Sequence, residues 1–227
     1  ASAVLELYHN PAFARQCVEN AYRKVIDLYT IETMVSKTLD VYREAMGTWK
    51  MLIIKYSALG DVLLSTAAFR HIYQNLHEKY SITVLTSADA RQLLARCPYI
   101  DELMVADFKG RDKGAWGIWK LGRQLRKRHF DVVLDLQNNR TSHILAGLSC
   151  ALKRYGYKNK KMSWLLNHTI KDTHEAVNPL QHQFKLLEMM GIPLTDPSLA
   201  MWPSEEDALF IDDFLNQQWL SPSQQVV

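Results

Sequence analysis

Two kinds of hydrophobic patterning divide this chain close to residue 48. In the first stretch, Phe13, Cys17, Ala21, Val25 and Leu28 recur at the spacing of one helix face. Asn10-Pro11 supplies an N-cap residue followed by proline at the first helical position. A second helical face, Ile31, Met34, Val35, Leu39, Tyr42 and Met46, follows Thr30, which can cap it, and stops at Gly47. Two or three helices of this size enclose little core of their own. Residues 1–47 are therefore read as a helical segment that needs something to pack against.

At Lys50 the pattern changes. Met51-Leu52-Ile53-Ile54 is a short continuous apolar run of the buried-strand type. Residues 55–60 read as a tight polar turn, and Asp61 as the opening of an amphipathic helix to about residue 77. Further strands are predicted at 81–86, 102–106, 132–136 and, briefly, 154–157. Further helices are predicted at 88–96, 116–128, 142–152, 179–190 and 204–217. Strands alternating with helices predict an α/β domain over 50–224, Rossmann-like, with a parallel sheet covered by helices on both faces. Gln225-Val226-Val227 reads as the start of another strand, and so of a truncated second domain.

Composition narrows the classes. A hydrophobic fraction of 48% and a charged fraction of 22% in 227 residues describe an ordinary globular chain. No apolar run approaches the length that spans a bilayer, and no signal-peptide pattern is readable. The chain opens on Ala1, as a processed or truncated start would. Cys17, Cys97 and Cys150 are odd in number and far apart, which fits a reducing compartment and no zinc site. The cytoplasm is the expected location. The net charge of +3 conceals an asymmetry: residues 109–161 hold 14 Lys and Arg against three Asp, a local excess of +11, leaving −8 elsewhere. Two readings stand, an anionic partner or a set of solvated helix faces.

Chemistry concentrates at two predicted strand ends, the edge where open α/β sheets bind ligands. The first stretch is Lys55-Tyr56-Ser57-Ala58-Leu59-Gly60-Asp61. It has neither the three-glycine dinucleotide fingerprint nor the phosphate-loop Gly-Lys-Ser/Thr. It offers a carboxylate, Asp61, flanked by Lys55 and Ser57. Such a carboxylate can take a proton from a substrate hydroxyl as a general base, or it can cap the helix and complement its dipole. The second stretch is Asp135-Leu136-Gln137-Asn138-Asn139-Arg140-Thr141-Ser142. Its amides can hydrogen-bond sugar hydroxyls, or Asn139 or Ser142 can cap a helix. Basic runs at 120–128 and 153–161 interleave with Trp116, Trp119, Tyr155, Tyr157 and Trp164. No recognised nucleic-acid module is readable, and the histidines show no metal spacing.

These residues resemble a family. Met51-Leu-Ile-Ile-Lys-Tyr-Ser-Ala-Leu-Gly-Asp-Val-Leu-Leu-Ser-Thr66 is similar to the opening of the ADP-heptose–lipopolysaccharide heptosyltransferases, glycosyltransferase family 9. Cys97-Pro98-Tyr99-Ile100-Asp101, Asp131-Val-Val-Leu-Asp-Leu-Gln137 with Ser142, and Arg154-Tyr-Gly-Tyr157 continue the resemblance in order. It implies one half of a GT-B fold, the half that binds the acceptor, with the nucleotide-sugar donor held by a second domain absent from this chain. It implies an inverting transfer of heptose to lipopolysaccharide core, with Asp61 as catalytic base and no metal or other cofactor. Lys55, Ser57, Gly60, Gln137, Asn138 and Ser142 are the expected substrate-binding residues. The expected acceptor is a lipid-linked phosphorylated saccharide. The basic 109–161 region would face that acceptor or an anionic membrane, at the inner face of the inner membrane, and no nucleic-acid partner is expected. Residues 1–46, with Ala3-Val-Leu-Glu-Leu-Tyr-His-Asn-Pro11 and Val41-Tyr42, resemble the carboxyl-terminal helices of a family 4 glycosyltransferase, as in a fusion. The alternatives are transfer of another sugar in surface-glycan assembly by the same fold, and a non-catalytic binding module in which Asp61 only caps a helix.

Overall fold

The computed structural model describes residues 2–171, 178–193 and 195–217. The chain separates into two compact units, one ending at Thr48 and the other beginning at Trp49. The expected strand at 225–227 lies outside the described residues.

The first unit is helical: α1 (Ser2–His9), α2 (Pro11–Leu28) and α3 (Ile31–Met46). The capping expected from the sequence is present. Asn10 Oδ1 accepts from the Phe13 amide, and Thr30 Oγ1 from the Thr33 amide. Gly47, at φ 73°, takes the left-handed conformation that closes α3. The separate helix α1 is an addition to the two faces read from periodicity.

The second unit is a six-stranded sheet. Its strands are β1 (Trp49–Ile54), β2 (Tyr80–Ser87), β3 (Glu102–Ala106), β4 (Val132–Asp135), β5 (Lys153–Lys158) and β6 (His168–Lys171). They run in the order β3-β2-β1-β4-β5-β6, and every neighbouring pair is parallel. Successive side chains of β1 point to opposite faces, and both faces are covered. Met51 and Ile53 join a core completed by Phe69 and Ile72 of α4 (Leu59–Leu76) and by Phe184 and Leu187 of α8 (Pro179–Glu188). Leu52 and Ile54 join the opposite core with Leu121 and Leu125 of α6 (Gly114–Lys127) and Leu145 of α7 (Arg140–Leu148). The short α5 (Arg91–Leu94) and the outer α9 (Glu205–Gln217) complete the unit.

Three details depart from the sequence reading. α4 begins at Leu59, so Gly60 and Asp61 lie in its first turn, and the N-cap, Ala58, has no side chain to offer. α5 is confined to one turn of the predicted 88–96. β6 was not predicted, because three of the four residues in His168-Thr169-Ile170-Lys171 are polar; it exists by main-chain pairing to β5 at the sheet edge.

Candidate functional site

The chain winds outward from β1 to β3 and then returns to place β4 on the other side of β1. The carboxyl ends of β1 and β4 therefore flank the switch in strand order, where open sheets leave a crevice. This brings together the two polar stretches, which lie about eighty positions apart in sequence.

The first loop leaves β1 through Lys55, whose side chain is only 6% exposed. Its ammonium lies 3.5 Å from Asp61 Oδ2, while the Asp61 side chain is 48% exposed. One end of this ion pair is thus built into the protein and the other faces the open edge. Burial pushes the Lys55 pKa down, and Asp61 and the more distant Asp135 oppose that shift. Asp61 is not the helix cap, so the capping alternative lacks its geometry. Its position in the first turn of α4 still suits the positive end of the helix dipole. Gly60 is exposed, and a Cβ there would meet nothing within 4 Å, so the main chain in front of Asp61 is open to solvent.

The second loop is locked from within. Asp135, fully buried at the end of β4, accepts from the Gln137 and Asn138 amides at 2.9 and 3.0 Å. Asn138 takes a left-handed φ of 54° there, and its Oδ1 accepts from Asn159 Nδ2. The Ser142 hydroxyl donates to Asp135 Oδ2 at 2.7 Å. Asn139 and Ser142 form a reciprocal capping box that starts α7, so Asn139 is the cap. Ser142 is completely buried, and its hydroxyl donates to Asp135 and accepts from the Asn139 amide. In this arrangement it shapes the turn and does not reach the open edge.

Beneath Ser142 lies His143, also buried. Its Nδ1 donates to the Lys161 carbonyl at 2.7 Å, which fixes the proton on that nitrogen. Nε2 then faces Asp135 Oδ2 at 3.4 Å, too long for a good hydrogen bond. A bare nitrogen facing a bare carboxylate would be repulsive, so the pair retains one further proton. Burial raises the Asp135 pKa, with His143 and the surrounding donors opposing it.

The two loops are tied by one side chain. Gln137 Oε1 accepts from both the Tyr56 and Ser57 amides at 3.0 Å, and its Nε2 donates to Ser57 Oγ at 2.9 Å. The Tyr56 hydroxyl adds a second tie by donating to Asn139 Oδ1 at 2.8 Å. Burial pushes the Tyr56 phenol well above its usual range, so it stays a donor. Of the residues singled out in sequence, Lys55, Ser57, Gly60 and Asp61 gather at one loop and Gln137 and Asn138 at its neighbour. Tyr56 stood unremarked within the first stretch, and Asn139, read from sequence only as a cap, also accepts from the Tyr56 hydroxyl.

A cavity of about 380 Å³ opens beside this junction, lined by Tyr56, Ser57 and Asn139 from the two loops and by Ser87, Asp107 and Phe108 from the ends of β2 and β3. Its size suits a sugar-sized group. The Tyr56 and Phe108 rings lie 4.4 Å apart along its wall. Among the described residues, no group of three or more His, Cys, Asp or Glu is arranged to hold a metal ion.

Comparison with known proteins gives three results. Residues 118–214 match the family model of glycosyltransferase family 9 (heptosyltransferase). The lipopolysaccharide core heptosyltransferase OpsX of Haemophilus influenzae is 29% identical over 170 residues, 73% of this chain and 47% of its own length. The chain thus spans about half the length of this curated relative. Among solved structures, a glycosyl transferase family 9 protein from Veillonella parvula superposes with a TM-score of 0.68 at 22% identity, over 76% of this chain and 51% of that one. The E. coli ADP-heptose lipopolysaccharide heptosyltransferase II gives 0.57 at 24% identity, over 77% and 52%. E. coli heptosyltransferase WaaC with ADP-2-deoxy-2-fluoro heptose gives 0.56 at 18% identity, over 66% and 51%. The structural likeness establishes a shared fold, and it extends over about half of each of these proteins.

Proposed function

We propose that the α/β unit belongs to glycosyltransferase family 9, that the whole protein transfers heptose from a nucleotide-activated donor to lipopolysaccharide core, and that this unit is its acceptor side. The reading rests most on one observation: a half-exposed carboxylate, Asp61, stands at the switch-point edge with the Lys55 ammonium 3.5 Å behind it. In the proposed step, Asp61 accepts the proton of an acceptor hydroxyl. The hydroxyl oxygen attacks the anomeric carbon, the bond to the donor's phosphate breaks, and the nucleoside diphosphate leaves with its electron pair. Attack from the face opposite the leaving group inverts the anomeric centre. Lys55 holds the carboxylate in place through Oδ2.

The cavity beside Tyr56 and Phe108 is the proposed seat of the acceptor sugar, with Ser57 and Asn139 at its polar rim. The donor is proposed to be a nucleotide-activated heptose, in line with the relatives named for ADP-heptose and ADP-2-deoxy-2-fluoro heptose, and to be held by a second domain. The helical segment 1–47 is proposed to derive from a preceding glycosyltransferase, as its resemblance to family 4 suggests. Among the described residues, no helix is long and apolar enough to cross a membrane. A cytoplasmic site of action is proposed from the family alone.

Asp61→Asn in the complete protein tests the assignment. Loss of a general base lowers turnover by about 10² to 10⁴. The melting temperature should hold, because Asp61 is half exposed and not the cap. Unchanged turnover would remove Asp61 from the mechanism. Lost turnover together with lost stability would assign it a structural role.

A further inference from the structure

Sequence places two basic, aromatic-bearing stretches in the 109–161 region, and the structure treats them differently. In the later one, Tyr157 is buried and stacks on His182, and Tyr155 packs half-buried on His168. In the earlier one, basic and aromatic side chains stand together in the open. Trp116, Trp119, Lys120, Arg123, Arg126 and Lys127 are all exposed. At about 100° per residue they fall within roughly one third of the circumference of α6. Leu121 and Leu125 point the other way, into the core. α6 contains no acidic residue, and neither does α7 beside it.

The two tryptophans are 71% and 43% exposed. Their rings stack on each other at 4.8 Å, and the Arg123 guanidinium lies 5.7 Å from the Trp119 ring. Beside them run two adjoining hollows. One, of about 510 Å³, has a mostly apolar floor of Ala115, Ile118, Ile144 and Leu148 between α6 and α7. The other, of about 420 Å³, shares Trp119 and Leu148 with the first and carries Arg123, Arg126 and Lys127. The first hollow also shares Gly114, Ile118 and Thr141 with the cavity at the sheet edge. The sheet-edge cavity, the apolar hollow and the cationic hollow are thus neighbours that share lining residues.

We propose that this α6–α7 face docks the protein on an anionic membrane surface, with the two tryptophans at headgroup depth. It depends on the transferase reading only for its purpose, which is to bring the sheet-edge cavity to a lipid-linked acceptor. The chemistry matches on each count. Tryptophan favours the membrane–water interface, where its apolar body and polar N–H are both accommodated. Clustered Lys and Arg are drawn to anionic headgroups, at about fivefold in partitioning for each residue near the surface. An apolar floor beside the cations suits lipid, whereas a polyanion such as RNA would leave it unused.

The test is co-sedimentation of the 227-residue chain with vesicles of phosphatidylcholine alone, and with vesicles in which roughly one lipid in three is phosphatidylglycerol. Binding is expected to the anionic vesicles only, and to weaken as salt rises to about 0.15 M and beyond. Arg123→Glu/Lys127→Glu should lower the partition coefficient at least about tenfold. Trp116→Ala/Trp119→Ala should also lower it, without changing the melting temperature. Lys79→Glu/Arg91→Glu makes the same net-charge change at exposed positions of the α4–α5 layer, on the opposite face of the sheet, and should have a much smaller effect. Equal binding to neutral vesicles, an equal effect of the Lys79/Arg91 variant, or preferential binding to an RNA oligonucleotide would each overturn the proposal. None of these measurements requires turnover, so they fail or succeed independently of the transferase reading.

Discussion

The two units of this chain use the same hydrophobic alphabet to opposite effect. In the α/β unit, Met51, Leu52, Ile53 and Ile54 are all at 0% exposure, between two helical layers. In the helical unit, the faces with equally clear periodicity lie open: Val25 is 53% exposed, Ile31 72%, Met34 61% and Tyr42 62%. Periodicity specifies that a segment will be a helix and which side will be apolar. It does not supply the surface that covers that side. A sheet buries both of its faces within one chain segment, whereas three short helices hold too little volume to do so.

Core substitution sharpens the contrast most. Ile53→Ala should cost about 2–5 kcal/mol, whereas Val25→Ala on the open face of α2 should change stability by about 0.5 kcal/mol or less. Urea denaturation of both variants measures this, and similar losses would break the comparison. The buried Asp135–His143 pair comes next. Asp135→Ala leaves two backbone amides and an imidazole without their acceptor or donor and should cost about 3 kcal/mol. Asp135→Asn keeps an oxygen for the amides and an N–H for His143 Nε2 and should cost less than about 1 kcal/mol. The pH dependence follows from the raised Asp135 pKa. A carboxyl raised above its unfolded value of 3.8 stabilises below that value and loses the contribution as pH rises through the folded pKa. The native protein should therefore lose stability relative to Asp135→Asn as pH rises. A constant difference would show Asp135 ionised throughout. The smallest effect is expected from deleting residues 1–46, which should move the melting of the α/β unit by less than about 2–4 °C, the shift that 1 kcal/mol produces at this size. A larger fall would show that the helices are part of that unit's stability.

Much of the architecture was legible because parallel strands buried on both faces are written as apolar runs, and β1 is the plainest of them. The site was legible in part. Asp61 and Lys55 stand out as charges at a strand end, and Asn139 as a cap. The role of Gln137 was not visible, because its partners are the main-chain amides of Tyr56 and Ser57, and main-chain donors leave no mark in sequence. Ser142 was expected at the ligand and instead sits at 0% exposure, since its capping role and its bond to Asp135 turn it inward. β6 was missed for a related reason, as an edge strand formed by backbone pairing needs no apolar signature.

The Gln137 clamp also bears on how this edge can change over time. The loop that carries Asp61 is held by a side chain from the loop after β4, through three hydrogen bonds at 2.9–3.0 Å. Neither loop can be transplanted without the other. A chimaera that imports residues 55–61 from a relative without a compatible amide at position 137 would receive the carboxylate and lose the register that aims it. Diversification here should proceed by paired exchange, and libraries that vary the two loops together should yield working variants where single-loop libraries do not.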